Sequence, residues 1–286
     1  MKMQAAKLFI LAACVLGMFA CAKKAANDDG AISGKITVIS REEGSGTRSA
    51  FVELFGVVDS DKKDVTTDDA QITNNTAVMI GSVQQDRRAI GYISMGSMND
   101  AVKTLKIDGV SPSVENVMNK SYSISRPFVI AITEQMSDVA QDFIDFILSA
   151  EGQAVVTKSG YIGKEDAATY VSKNVGGKIV IAGSSSVSPL MEKLKEAYIK
   201  LNENVTIEIQ TSDSSTGMKA AIEGICDIGM SSRELKSSEL EKLTPLVIAT
   251  DGIIVIVSKE NSIDNLAKEQ VKNVFLGEIT DWKDLR

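Results

Sequence analysis

Three stretches place Gly, Ser and Thr between an apolar, strand-like run and a helix-like one. They are Arg41-Glu42-Glu43-Gly44-Ser45-Gly46-Thr47-Arg48, Gly183-Ser184-Ser185-Ser186-Val187-Ser188-Pro189 and Thr211-Ser212-Asp213-Ser214-Ser215-Thr216-Gly217-Met218-Lys219. The first turn of a helix leaves N–H groups unpaired, and its dipole favours negative charge there. Small residues let an anion approach those donors, and hydroxyls add more. A single such loop is ordinarily an N-cap. Three in one chain, the first with an arginine on each side of Gly-Ser-Gly-Thr, point to an oxyanion held by converging donors. Hydrogen bonds to a charged group contribute roughly 1.5–3 kcal/mol each, and micromolar affinity needs only about 8 kcal/mol.

Other chemistries find no support. The chain has no histidine, which removes His-based triads, general bases and metal ligands together. Gly176-Gly177-Lys178-Ile179 lacks the spacing and the final hydroxyl of a P-loop. There is no Gly-x-Ser-x-Gly elbow, no metal-ligand spacing among Cys, Asp and Glu, and no call for a cofactor. A phosphatase built on Arg41 and Ser45 would need a base or a metal. Met79, Met95 and Met98 read as core or loop fillers, Trp282 as packing, and Arg87-Arg88 as a solvated turn.

The elements that must position these loops alternate. Strands are expected at Lys35–Ser40, Ala89–Ser94, Arg126–Ile132, Lys178–Ala182, Val205–Gln210 and Ile253–Val257. Helices are expected after the first loop through Phe51 and Phe55, over Val139–Leu148, Ser188–Leu201 and Met218–Glu223. Such alternation predicts an α/β fold with mostly parallel sheets. The most linker-like stretch is Gly163 to Gly177.

The chain has 286 residues and a formal charge of −7, which gives nucleic acid no electrostatic attraction. A local anion site of backbone donors is compatible with that balance. Lys2 and Lys7 precede an apolar run, Leu8 to Ala20, too short to span a bilayer. It ends at Ala20-Cys21, like a bacterial lipoprotein cleavage site, and Cys21 is preferred over Cys14 because the apolar run before Cys14 is short. Losing residues 1–20 removes two lysines and brings −7 to −9. Cys226 is then left alone and reads as a small core residue.

At these loops the sequence resembles the phosphate-binding lipoproteins of bacterial phosphate ABC importers. The motifs are Gly183–Pro189, Asp227-Ile228-Gly229-Met230-Ser231-Ser232-Arg233-Glu234, Asp251–Val257, Phe275–Trp282 and Arg41–Phe51. The halves stand in exchanged order, so the chain looks like a circular permutant in which Trp282–Leu285 would lead into Ile36–Ile39. Permutation is cheap when the original termini lie close together. A rearranged or misassembled reading frame is the other source of such an order.

The resemblance implies a two-lobed periplasmic-binding-protein-like fold of type II, with two hinge crossover strands near Ser125–Pro127 and Ala249–Asp251. One lobe would comprise 31–126 plus 251–286, the other 127–250, with a leader over 1–20 and a tether over 21–30. Carried over by motif, the ligand donors are Ser185, Ser186, the Val187 N–H, Ser214, Ser232, Arg41, Ser45, Gly46 and Thr47. Glu43 matches a family carboxylate that holds the arginine. Some members have an aspartate where Ser232 stands, so the acceptor of a phosphate proton falls to Glu43, Asp213 or Asp251, with Arg233 nearby. The implied partners are inorganic phosphate, the subunits of an ABC permease, and the membrane through a lipid on Cys21, with a monomeric chain and no enzymatic step. A sensor or surface lipoprotein on the same fold is the alternative.

Overall fold

Residues 31–286 are described by a computed structural model, and the expectations placed on the leader, the tether and Cys21 lie outside them. The first stretch runs β1 (Thr37–Arg41), α1 (Gly46–Phe55), β2 (Gln71–Thr73), α2 (Thr76–Gln85) and β3 (Ala89–Ser94). Short pieces follow: β4 (Lys103–Thr104), β5 (Lys106–Ile107) and α3 (Val114–Met118). Then come β6 (Ser125–Ile132), α4 (Asp138–Leu148) and α5 (Ala150–Lys158). The next group is β7 (Gly177–Ser184), α6 (Ser188–Ile199), β8 (Val205–Ser212), α7 (Ser214–Ile222), β9 (Ile228–Ser231) and α8 (Ser237–Leu240). The chain closes with β10 (Thr244–Val257), β11 (Asn265–Leu266) and α9 (Lys268–Leu276).

The α/β class expected from the alternation is the one observed, but the sheet is mixed. Its order is β2-β1-β3-β10-β6-β9-β7-β8, with β4 also on β10. Parallel pairs occupy both flanks, β1 with β2 and β3, and β7 with β8 and β9. The middle is antiparallel, because β10 runs against β3 and β6, and β6 against β9. Parallel neighbours arise where a helix returns the chain; β6 and β10 instead pass between lobes, and nothing requires them to share a direction.

Buried apolar side chains fall into separate cores, giving two lobes. One core draws on residues 32–124 and 253–285, including Phe51, Tyr92, Phe275 and Trp282. The others draw on residues 128–249, including Phe143, Leu190, Tyr198 and the free thiol of Cys226. Ile253–Val257 of β10 is wholly buried, which accounts for its unbroken apolar run: a strand covered on both faces needs no polar alternation. Trp282 is buried and donates its indole N–H to the Arg88 carbonyl at 2.8 Å, the packing role expected.

β6 and β10 are the strands that cross between the lobes, and they pair with each other from Ser125↔Gly252 to Ile132↔Thr244. At the crossing, Arg126 Nε and Nη2 both donate to Asp251 Oδ2 at 3.2 Å. Asp251 Oδ1 accepts from Ser94 Oγ at 2.8 Å, and Arg126 Nη1 donates to the Ser232 carbonyl at 3.0 Å. Burial pushes the Asp251 carboxyl up and the Arg126 guanidinium down, and each charge opposes the shift of the other. On its other side Thr250 exchanges two backbone hydrogen bonds with Ile162, at 2.8 and 3.0 Å.

The stretch 163–176 carries no helix or strand, yet it is not a loose connection. Asp142 of α4, fully buried, accepts from Tyr170 Oη at 2.6 Å, Tyr198 Oη at 2.7 Å and the Lys173 N–H at 3.3 Å. Tyr170 N–H donates to Glu151 Oε2 at 2.7 Å, and Asn202 Nδ2 to Tyr170 Oη at 2.9 Å. The polar residues that suggested a linker are thus the fastenings of a strap. Asp142→Ala strands two phenols and one N–H. A loss of about 1–3 kcal/mol in urea unfolding is expected, with faster tryptic cleavage at Lys164 and Lys173.

Candidate functional site

The site is built from the ends of strands and the starts of helices in both lobes. In the first lobe, β1 delivers Arg41 and the chain turns through Glu42, Glu43 and Gly44 into α1. Gly44 has φ +90°, a region a side chain would disfavour. Ser45 caps α1, its Oγ accepting the Arg48 N–H at 3.3 Å, while its own O–H stays available to donate. The end of β1 is held from behind. Tyr92 Oη lies 2.8 Å from Ser40 Oγ and accepts the Arg41 N–H at 3.2 Å. The Tyr92 ring stacks on Phe51 of α1 at 3.9 Å between centroids, and burial pushes its phenol up to about 12.

In the second lobe, β7 leads through Ser184–Val187 into α6, which starts without a side-chain cap and with Pro189 in its first turn. β8 leads into α7, capped by Asp213, which accepts Thr216 N–H at 2.9 Å and Thr216 Oγ1 at 2.6 Å. β9 ends beside them at Ser231-Ser232.

These loops meet. Thr47 Oγ1 lies 2.8 Å from Ser186 Oγ, and Arg41 Nη2 donates to Ser185 Oγ at 3.2 Å, both across the lobes. Ser184 Oγ donates to Ser232 Oγ at 3.0 Å, and the Ser232 N–H to Ser214 Oγ at 3.1 Å. The Gly44 carbonyl accepts from the N–H and Oγ of Ser215 at 3.2 and 3.3 Å. Gly46 packs so closely that a Cβ there would stand 2.4 Å from Ser214 Oγ and 2.7 Å from Ser232 Oγ. Ser45, Gly46, Thr47, Ser185, Ser186, Ser214 and Ser232 are all buried. A cavity of about 880 Å³ opens beside the cluster, lined among others by Glu42, Thr76, Ser185, Ser188 and Asp213. The arrangement can wrap a small tetrahedral anion in hydroxyls and helix N-termini from two sides.

Some expected roles fall differently. Arg41 is held by Glu42, not Glu43: Nε donates to Oε2 at 2.7 Å and Nη2 to Oε1 at 2.6 Å. Glu43, next to Gly44 in the turn, is exposed. The Val187 N–H is engaged by the Ser184 carbonyl at 3.0 Å. Arg233 forks onto Glu239 at 2.8 Å through both terminal nitrogens and donates to Ser215 Oγ, so it braces α7. Arg48 is likewise structural, donating to Asp64 at 2.6 Å and to the Arg41 carbonyl at 2.8 Å. Of the candidate proton acceptors, Asp213 takes one hydrogen bond on each oxygen from Thr216 and lines the cavity, while Asp251 is occupied by Arg126 and Ser94.

Ser184, Thr76 and Arg126 belong to the site's surroundings without having been singled out. Thr76 Oγ1 stands 3.4 Å from Ser186 Oγ. Asn74-Asn75 before the apolar run Ala77–Ile80 is a helix-start signal that could have located it.

Gly46→Ala tests the closeness of the lobes. The added methyl group cannot fit at the observed spacing, so small-angle scattering should give a larger radius of gyration for the variant, with its circular dichroism unchanged.

A sequence profile described as a PBP superfamily domain matches residues 18–151 and 168–286. The phosphate-binding protein PstS 2 of Streptococcus agalactiae is 53% identical over 266 residues, 91% of each chain. The phosphate-binding protein PstS 2 of Streptococcus pneumoniae is 44% identical over 287 residues, 98% of this chain and 99% of that one. The crystal structure of a phosphate ABC transporter phosphate-binding protein from S. pneumoniae TIGR4 superimposes with a TM-score of 0.71 at 45% identity, covering 88% of this chain and 100% of that one. Alignments this complete run in one direction along both chains, so the segment order is shared by these relatives rather than being an accident of one reading frame. The chain belongs to the PBP superfamily and, within it, to the phosphate-binding proteins.

Proposed function

We propose that this protein is an extracytoplasmic solute-binding protein that captures inorganic phosphate between its lobes and delivers it to the permease of an ABC importer. The observation that carries this reading is the meeting of Arg41, Thr47, Ser185, Ser186, Ser214 and Ser232, from both lobes, at the starts of α1, α6 and α7. The relatives, named phosphate-binding proteins, supply the identity of the anion. Phosphate entering an open cleft gains donors from the second lobe only when the hinge closes, so binding and closure are one event. Capture and release make and break no covalent bond.

The same reading covers the parts outside the site. Cys21 carries the lipid that holds a monomeric chain at the membrane; among the described residues no helix is long and apolar enough to cross one. The lobes correspond to 31–126 plus 251–286 and to 127–250. The exchanged order is a circular permutation, supported by where residues 34–36 lie against residues 280–282. The Ile36 N–H donates to the Thr280 carbonyl at 2.8 Å, and the Trp282 N–H to the Gly34 carbonyl at 3.1 Å. Residues that would be consecutive in the unpermuted order thus lie side by side.

Calorimetry on protein lacking residues 1–20 should give micromolar or tighter phosphate binding and a raised melting temperature. Arg41→Met should weaken binding about 10- to 100-fold, the equivalent of one charged hydrogen bond. Cooperatively folded protein that ignores phosphate would sink the proposal.

Selectivity follows from the carboxylates. Asp251 is occupied by Ser94 and Arg126, Glu42 by Arg41 and Asp213 by Thr216, while Glu43 is exposed; the groups that meet across the lobes are hydroxyls, and one of them takes the proton of hydrogen phosphate. A hydroxyl can turn from acceptor to donor, so fully ionised sulfate strands little. Sulfate should therefore compete in the same titration at no more than about 100-fold weaker affinity. Discrimination beyond about 10,000-fold would require a dedicated carboxylate acceptor.

A further inference from the structure

We propose that Thr76 is a further anion-binding residue and that the start of α2 is a fourth wall of the site; this rests on the phosphate-binding reading above. Thr76 is the first residue of α2 and is 7% exposed. It does not cap its own helix, because Asn75 does so, its side chain accepting the Val78 N–H at 2.9 Å. The Thr76 hydroxyl is therefore released from local duty. It points across the lobes to Ser186 Oγ at 3.4 Å, the same oxygen that Thr47 Oγ1 meets at 2.8 Å. Ser186 thus stands between hydroxyls from two helix starts of the opposite lobe.

The placement of Thr76 is tied to that of Arg41. Strands β1 and β2 pair with Arg41 opposite Thr73, and the Glu42 N–H donates to the Thr73 carbonyl at 2.9 Å. Thr73 Oγ1 donates to the Ser40 carbonyl at 3.2 Å. Three residues later the chain enters α2, whose Met79, Ile80 and Val83 are buried in the same core as β1 and β3. One strand pair therefore fixes both the guanidinium and the threonine. Like every helix start, α2 leaves the N–H groups of its first turn without helical acceptors, and its dipole adds positive potential there. The cavity beside the cluster is lined by Asn74, Asn75, Thr76 and Ala77 together with Ser185 and Glu42. β-branching restricts the side chain, so the hydroxyl is oriented before an anion arrives.

Thr76→Val keeps the shape and removes the hydroxyl; Thr76→Ser keeps the hydroxyl. Calorimetric titration of the full mature chain with inorganic phosphate should show about tenfold weaker binding for the valine variant. The serine variant should stay within about twofold of the parent, and all three should melt alike without phosphate. Equal affinity of the parent and valine forms would overturn the assignment. So would a lowered ligand-free melting temperature in the valine variant, or a serine variant as weak as valine, since either marks a packing role. A parent chain that fails to bind phosphate would instead remove the reading on which the proposal rests.

Discussion

Arg126 and Asp251 are taken out of water at the place where the two crossover strands leave one lobe for the other. A buried pair of this kind costs several kcal/mol per ion in lost hydration, and it stands only if every remaining donor and acceptor is used. Here each guanidinium nitrogen and each carboxylate oxygen has a partner, and those partners matter to the site. The third guanidinium nitrogen holds the Ser232 carbonyl in one lobe, and the second carboxylate oxygen holds Ser94 in the other. The crossing is therefore wired to a ligand-facing serine and to the end of β3 at once. Neither strand can slip in register without leaving a bare charge in the interior.

The charge balance of the site explains how an acidic chain can take an anion. Arg41 contributes a guanidinium, but Glu42 cancels its charge at 2.6 Å. What remains is a directional donor, backed by hydroxyls and helix dipoles, none of which adds to net charge. Attraction of this sort is short-ranged and local, so the charge of the whole surface has little say in it. Pairing also sets the guanidinium plane, so that one terminal nitrogen reaches Ser185 across the cleft.

The loops of the site were legible because Gly, Ser and Thr between a strand-like and a helix-like run have few physical readings, and three of them stood in one chain. Ser185, Ser186, Ser214, Ser232, Arg41 and Thr47 come together accordingly. Which of two adjacent carboxylates would face Arg41 was not legible, because the two residues are of one type and the pairing is set by the path of the turn. Helix α2 has little local signal, because Thr76–Gln85 shows a weak apolar stripe, with Ala77 and Val78 exposed beside buried Met79 and Ile80. The strap 163–176 looks like a linker in the sequence because the carboxylate that fastens it, Asp142, lies 28 residues before Tyr170. The antiparallel centre of the sheet had no local signal: strand direction at a crossover is a property of the whole chain path.

The hinge is two strands with one brace. At Thr250, β10 has Pro127 of β6 on one side and a single bridge to Ile162 on the other, so the crossing is a two-stranded ribbon pinned at one point. A ribbon yields when flexed across its flat face and is stiff against bending within its own plane. Of the ways one body can move on another, such a joint favours a single degree of freedom and suppresses sideways drift. Thr47 would then return to the same serine on each cycle, with alignment supplied by the joint and not searched for by the side chains.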